Sequence, residues 1–298
     1  MASISSEIAP KPQPSRLKRI VTTVLSILGR LASRPLSLIG LIIVVLFILI
    51  ALFGSNLAPY KFDALIKGAA RQPPSATYLF GTDKLGRDVF SRVLWGAREV
   101  IAIPGIATTI AVVIGAIVGM ATAYYDGWID EVISRLLDSL LAIPALLLAL
   151  VMLGVIGPSP IGIVIVIVLL YVPIVTRVIR SATLNVRSSG FIEAAKLRGE
   201  ANWYILFREI LPSVLPALTV EAALRFSYAI FLTASLGFLG LGVQPPSPDW
   251  GRMVNEARES YERTPWALWY PAAAIAVLVI GVNLLADGLR RIFRYEGS

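Results

Sequence analysis

The chain has 298 residues, 56% of them hydrophobic and only 15% charged, and its mean hydropathy of +0.76 excludes a soluble globular domain and indicates a membrane protein. The absence of cysteine and histidine from the sequence excludes disulfides, thiol chemistry and histidine-based catalysis or metal binding. The net charge of +8 comes from Lys and Arg residues that cluster beside apolar stretches, which indicates membrane topology rather than nucleic-acid binding.

Residues 1–34 form a polar tail that carries six basic residues against one acid, Glu7, and is predicted to lie in the cytoplasm. The next stretch, 35–53, is apolar over about 19 residues, long enough at ~1.5 Å per residue to cross most of a ~30 Å hydrocarbon core. A cleaved signal peptide is the alternative interpretation. Because the basic region is unusually long and no small-x-small cleavage site follows, we predict a retained first helix.

Four further uncharged stretches predict membrane helices. One of them, 139–176, is too long for a single span, and the turn signal Gly157-Pro158-Ser159-Pro160 lies in its middle. The sequence therefore predicts an all-α fold, a polytopic membrane helical bundle of about six transmembrane helices that form one domain over 35–298. The five predicted spans after the first are 100–125, 130–156, 161–180, 226–248 and 266–286.

The distribution of Lys and Arg predicts the orientation of these helices. Basic residues are frequent in 177–213 and in the C-terminal segment that carries Arg290, Arg291 and Arg294, so both termini and 177–213 are expected in the cytoplasm. The loops 54–98 and 244–265 are then external. The first of these loops is also rich in Lys and Arg, contrary to the positive-inside rule, although several Asp residues balance them.

The predicted cytoplasmic segment contains two short helices outside the bilayer. Gly199 is the expected break, since glycine adopts the left-handed conformation that closes a helix, and Asn202 is expected to cap the next helix. The first helix has an apolar side that its own loop cannot bury, so lipid headgroups or another protein must cover it. This side is formed by Phe191, Ile192, Ala195 and Leu197.

The same segment resembles the EAA signature of ABC importer permeases. The matching residues are Glu193-Ala194-Ala195, Gly199, and the Ile210-Leu211-Pro212 element. The family uses this segment as a coupling helix, seated in a groove of a cytoplasmic ATPase subunit. The resemblance therefore implies that ATPase coupling depends on Glu193, Ala194, Ala195, Gly199, Ile210 and Pro212.

Three further stretches resemble the C-type permeases of dipeptide, oligopeptide and nickel importers: 81–92, 235–251 and 283–290. The resemblance implies a second, B-type permease, two ATPase subunits and an extracytoplasmic solute-binding protein as partners. The sequence contains no G-x-x-x-x-G-K-[S/T] phosphate loop, so ATP hydrolysis is expected in the partner subunits. No cofactor, metal site or catalytic residue is expected in this chain. Residues 1–34 show no such resemblance.

Glu221 and Arg225 follow Pro212 by about nine and thirteen residues, which places them ~13 to 20 Å along the fifth span. Their i,i+4 spacing puts both on one helical face, where they can pair and reduce the cost of burying two charges. The face either locks this helix to the partner permease or forms a polar lining for a zwitterionic peptide.

Dipeptides or oligopeptides are the predicted solutes, with nickel chelates, glutathione-like peptides and oligosaccharides as alternatives within the same family. An ion-coupled secondary transporter is a competing hypothesis, but the sequence shows no clear internal repeat. An intramembrane enzyme is a third hypothesis. It is disfavoured because His, Cys and paired carboxylates deep in neighbouring spans are missing.

Overall fold

The computed structural model describes residues 25–295 of the chain, with side chains up to Phe293. The described residues form helices and the connections between them. They contain no β-strand, and one isolated β-bridge joins Thr82 and Asp88. The basic residues of the tail before position 25 and the side chain of Arg294 lie outside the described residues. After a short helical stretch at 25–32, the helices are α1 (Pro35–Leu57), α2 (Val89–Tyr125), α3 (Gly127–Leu141), α4 (Ala145–Ile156), α5 (Pro160–Val186), α6 (Gly190–Leu197), α7 (Asn202–Phe238), α8 (Trp250–Arg258) and α9 (Trp266–Tyr295).

Five helices of this part are long and apolar enough to cross a membrane: α1, α2, α5, α7 and α9. The pair α3 and α4 is bent by 87°, and the number of spans is six if this pair is counted as one broken span. The prediction of an all-α bundle of about six spans is therefore confirmed. The prediction of one continuous helix over 130–156 is wrong, because the chain leaves the helix before Pro144, whose ring disfavours helical geometry in the preceding residue.

The second span begins at Val89, eleven residues before the predicted start. Asp88 caps it by accepting a hydrogen bond from the Ser91 backbone N–H at 2.7 Å. The connection between α1 and α2 is thus 58–88, shorter at both ends than the predicted loop 54–98. With 37 residues, α2 is ~55 Å long at ~1.5 Å per residue, so its two ends lie at opposite ends of the bundle.

The fifth span also differs from its prediction, because α7 runs from Asn202 to Phe238 without a break. Its early turn, Ile205–Ile210, is π-helical. Pro212 has no N–H and its ring would collide with the carbonyl four residues earlier, and a widened turn relieves that conflict without ending the helix. The predicted cap is also wrong: Ala201 is the N-cap, and Asn202 is helical.

The turn at Gly157 is confirmed. Gly157 has φ of +93°, which favours glycine, and the Ser159 hydroxyl accepts a hydrogen bond from the Gly162 N–H at the start of α5. The fourth and sixth spans are confirmed as α5 and α9, each longer than predicted. Because α5 continues to Val186, Arg177 and Arg180 are helical residues of a span rather than loop residues.

The most extensive helix contact in the bundle is the one between α2 and α5. A Cβ at Gly119 would lie 2.6 Å from the Thr176 carbonyl oxygen, so a larger residue there would force the helices apart. One apolar cluster joins α2, α4, α5 and α7, with Leu153 and Ile167 fully buried. Further clusters pack α6 against one end of the bundle and α8 against the other. These contacts fix the positions of the candidate sites.

Candidate functional sites

The α6 helix ends at Gly199 in a Schellman motif. Gly199 has φ of +73°, its N–H donates to the Lys196 carbonyl at 3.0 Å, and the Glu200 N–H donates to the Ala195 carbonyl at 3.2 Å. These two hydrogen bonds satisfy carbonyls that would otherwise be unpaired at the helix end. The predicted break at Gly199 is therefore confirmed.

One face of α6 is buried within the chain itself, which corrects the prediction that its whole apolar side needs another protein or lipid. Ile192 and Ala195 have no exposed surface and pack with Ile179 of α5 and Ile210 of α7. Burial of such a side chain stabilises the contact by ~1.5–3 kcal/mol. The helix is consequently fixed to the ends of two spanning helices.

The opposite face of α6 and the first turns of α7 expose large apolar side chains, which we call the exposed apolar surface. It comprises Phe191, Leu197, Trp203 and Phe207, and Leu197 is 89% exposed. Glu193 is also exposed. Among the described residues nothing covers this surface, which is typical of a site that binds another protein.

The residues matched to the EAA signature divide into two groups in space. Ala195 and Ile210 lie in the buried contact between α6 and α7, whereas Glu193 and Gly199 are exposed. Pro212 is exposed within α7, beyond the π-helical turn. The signature therefore contains both anchoring residues and surface residues, a division that sequence spacing does not show.

Polar contacts connect α6 to its surroundings at the same end of the bundle. The Lys196 ammonium lies 5.2 Å from the centre of the Tyr124 ring, and the Tyr124 hydroxyl donates to Asn202 Oδ1 at 3.0 Å. Arg198 lies 3.5 Å from Glu200 and 3.9 Å from Glu209. These contacts orient the Schellman turn relative to the ends of α2 and α7.

Glu221 and Arg225 form the predicted pair on α7. Arg225 Nε lies 2.8 Å from Glu221 Oε1, and the side chains are 15% and 9% exposed. The guanidinium also contacts two aromatic rings, with Cζ 4.8 Å from the centre of Tyr228 and 5.6 Å from that of Tyr171. Cation–π contacts of this kind stabilise a partly desolvated cation. Tyr171 was not predicted, because no spacing in the sequence relates it to Arg225. Tyr228 follows Arg225 by three residues on the same helix, and that spacing could have indicated the contact.

A ladder of ion pairs between α3 and α5 is a further feature that the sequence analysis missed. Arg180 Nε lies 2.6 Å from Asp130 Oδ1, and Arg177 pairs with Asp138. A third pair joins Arg187 to Asp126 at 2.9 Å, and hydrogen bonds from the Gly127 N–H and from Arg187 lower the pKa of Asp126. The signal in the sequence was the spacing of Asp residues in an amphipathic helix. That spacing predicts ion pairs with α5 only once it is known that α3 lies along α5.

At the other end of the bundle, charged residues join the 58–88 connection to α8. Arg87 contacts Asp83 at 2.6 Å and Glu256 at 2.7 Å, and Arg92 contacts the same two carboxylates at 3.0 and 3.3 Å. Burial raises the pKa of Glu256, but Arg92 and Arg87 outweigh burial and hold it below its usual value. The positive charges of Arg87, in this connection, and of Arg92, in α2, are thus paired with acidic residues of the same chain.

The same end is closed by α8. Trp250 is completely buried and donates from Nε1 to the Val93 carbonyl at 3.0 Å. Asp249 caps α8 by accepting from the Arg252 N–H at 2.7 Å, and burial raises the pKa of Asp249 to about 6. We call this assembly of the 58–88 connection with α8 and the segment 259–265 that follows it the cap.

Comparison with known proteins identifies relatives over most of the chain. Residues 111–294 match the family model of the binding-protein-dependent transport system inner membrane component. Residues 26–74 match the N-terminal transmembrane domain of oligopeptide transport permease C. The dipeptide transport system permease protein DppC of Alkalihalophilus pseudofirmus is 41% identical over 261 residues, covering 88% of this chain and 86% of the relative.

Two other relatives are similar over nearly the same length. The glutathione transport system permease protein GsiD of Escherichia coli O6:K15:H31 is 38% identical, covering 88% of this chain and 86% of the relative. The probable D,D-dipeptide transport system permease protein DdpC of Escherichia coli K12 is 37% identical, covering 87% of each chain. A chain of the MetNI methionine ABC transporter, solved in inward-facing conformations, has the same fold, with a TM-score of 0.56, 20% identity, and coverage of 68% of this chain and 95% of that one.

The helical bundle and its relatives define the class: a multi-pass permease of the inner membrane with the fold of an ABC importer subunit. The chain belongs to the family of binding-protein-dependent transport system inner membrane components. The family consists of transporter permeases and is not known for enzymes.

Proposed function

We propose that this chain forms half of the translocation path of an ATP-driven importer of small peptides. Its partners are a second, B-type permease, two cytoplasmic ATPase subunits and an extracytoplasmic solute-binding protein. The observation that carries the proposal is the two-sided character of α6, which is anchored in the bundle through Ile192 and Ala195 and exposes Phe191 and Leu197 on its other side.

This arrangement suits the transmission of force. A partner that holds the exposed apolar surface and moves would displace α6, and α6 would displace α5 and α7 through the buried contact with Ile179 and Ile210. A close-packed contact transmits displacement because it has few voids to absorb it. The spanning helices would then alternate between two arrangements around a central path.

ATP hydrolysis is assigned to the partners, since the sequence has no phosphate-binding loop. Small peptides are the proposed solutes because the relatives described above are named for dipeptide, D,D-dipeptide and glutathione transport. All three solute classes are short molecules with free carboxylates. We propose that the segment around α6 and both termini face the cytoplasm.

The proposal is tested by assembling the five-component importer in liposomes and measuring uptake of a labelled dipeptide with external binding protein. Uptake should require ATP on the side of the ATPase subunits. This chain should also retain those subunits during purification. Uptake driven by an ion gradient without ATP would contradict the proposal and support a secondary transporter.

The orientation gives a separate prediction. The chain contains no cysteine, so a single cysteine at Ser260, which follows α8 in the cap, should react with a membrane-impermeant maleimide only from the extracytoplasmic side. A cysteine at Glu193 in α6 should react only from the cytoplasmic side. Labelling of the Ser260→Cys variant from the cytoplasm would invert the topology and remove the assignment of α6 as the coupling helix.

Neutralisation of the charged pair gives another prediction. Glu221→Gln and Arg225→Gln should each leave the complex assembled but reduce peptide uptake by about tenfold, because each leaves its former partner charged and partly buried, a penalty of ~1–3 kcal/mol. Assembly is measured by size-exclusion chromatography and uptake in liposomes. The exposed pair Glu131 and Arg135 provides the control, and Glu131→Gln should transport normally.

Two outcomes would remove the proposed lining role. Disassembly of both variants would show that the pair locks α7 to the partner permease. Unchanged transport of every peptide tested would show that the pair does not contact the path.

A further inference from the structure

A cavity that is open at the surface of the membrane-spanning part joins Arg225 to the break between α3 and α4. Its volume is about 440 Å³, and it is bordered by Ala145 and Leu146 of α4, Tyr171 of α5, and Arg225 and Tyr228 of α7. Most of its lining is apolar. The polar groups that reach it are therefore the ones that select an occupant.

The first of these polar groups is the guanidinium of Arg225. Glu221 lies against its Nε edge at 2.8 Å, and the two tyrosine rings confine it. Within residues 25–293 its terminal nitrogens have no hydrogen-bond partner. They are the two donors that a planar carboxylate accepts side by side.

The second group is the N-terminus of α4. This helix has 12 residues and starts at Ala145 without a side-chain cap, after the 87° bend that separates it from α3. Its first N–H groups have no acceptor within the helix, and the aligned peptide dipoles place partial positive charge there. Broken helices inside membranes direct such ends at anionic groups of a solute.

Two elements that are distant in the sequence thus bring positive potential to one cavity. We infer that this cavity is a binding site for a single carboxylate of the transported solute, held between Arg225 and the N-terminus of α4. Glu221 leaves the site with little net charge, which favours a monoanion over a phosphate dianion and keeps binding weak enough for release. The inference rests on the proposed function, since it identifies which end of a peptide this chain contacts.

Charge-selective labelling tests the site without any knowledge of the solute. A cysteine at Ala145 in the assembled importer is treated with a sulfonate-bearing, anionic methanethiosulfonate and, separately, with the trimethylammonium-bearing, cationic reagent. Modification is followed by the intact mass of this subunit. The anionic reagent should react faster, relative to the same pair of reagents at Ser260→Cys, which lies in the cap outside the cavity.

Adding Arg225→Gln should reduce the ratio of anionic to cationic rates at position 145 by about tenfold. Even in water, a unit charge ~6 Å away changes the local concentration of a charged reagent by roughly threefold. Loss of the Arg225 charge slows the anionic reagent and speeds the cationic one, so the two factors multiply to about tenfold. Glu221→Gln should raise the ratio, and neither variant should alter it at position 260. An unchanged ratio at 145 with Arg225→Gln, or no reaction with either reagent, would overturn the inference.

Uptake measurements then test whether the carboxylate that binds in the cavity is the C-terminal carboxylate of the transported peptide. Wild-type importer and the Arg225→Gln variant are compared with trialanine and with trialanine amide, after the affinity of the binding protein for each has been measured. The variant should lose several-fold more uptake of trialanine than of the amide, and equal losses would overturn the inference. If the wild-type complex imports neither peptide, the proposed solute class fails, while the labelling ratio still decides whether the cavity selects anions.

Discussion

Replacing Gly199 with valine should separate ATP hydrolysis from uptake while the complex remains in the membrane. Gly199 has φ of +73°, and no atom lies within 4 Å of the position a Cβ would take. The cost therefore comes from the backbone, ~1–2 kcal/mol for an L-residue in the left-handed conformation and more for a β-branched one. That cost favours unwinding of the end of α6, and uptake should fall by about tenfold or more.

Two control variants isolate the cause of the expected loss. Gly199→Asn should retain most uptake, because asparagine tolerates the left-handed conformation. Gly68 has nearly the same geometry, with φ of +74° and open space around it, but lies in the cap. Gly68→Val should therefore transport normally. Normal uptake and solute-stimulated ATPase activity in Gly199→Val would disprove the coupling role of the Schellman turn.

Replacing Arg92 with methionine should destabilise the cap by about 1–3 kcal/mol, the cost of removing a buried donor from carboxylates that it contacts. The Arg92 side chain is 3% exposed and contacts both Asp83 and Glu256. Its loss leaves Asp83 with Arg87, and Glu256 with Arg87 and Arg252. A cysteine at Met253, which is 3% exposed, reports opening of the cap, and its labelling rate should rise by roughly tenfold or more.

The exposed pair between Lys84 and Glu259 provides the matched control. Its atoms are 2.6 Å apart, but the side chains are 32% and 72% exposed, so Lys84→Met should cost at most ~1 kcal/mol. Equal labelling rates in Arg92→Met and Lys84→Met would show that the network does not hold the cap.

Some features of the protein could be predicted because they depend on local sequence. Exposing a long run of apolar residues to water costs free energy however the helices pack, so the number of spans followed from hydropathy. The break at Gly199 and the turn at Gly157 also followed, because their positive φ angles are a property of the residue itself. The spacing of Glu221 and Arg225 placed them on one face of any helix.

Other features could not be predicted, because local signals were overridden by packing. Pro212 is a strong signal for the end of a helix, yet α7 continues through it. The π-helical turn absorbs the missing hydrogen bond, and burial of Ile205, Ile210 and Val214 against α5 holds the helix together. Conversely, the apolar stretch across Pro144 gave no sign that α3 and α4 would be bent apart.

The sequence by itself determined the membrane class, the five or six spans and the family, because composition, hydropathy and motif spacing depend only on the order of residues along the chain. Only the tertiary structure decided which face of α6 is anchored and that Tyr171 and the start of α4 lie beside Arg225. Contacts between residues far apart in the chain depend on how whole helices pack, and the shape of the packed surfaces sets that arrangement rather than the preference of any single residue.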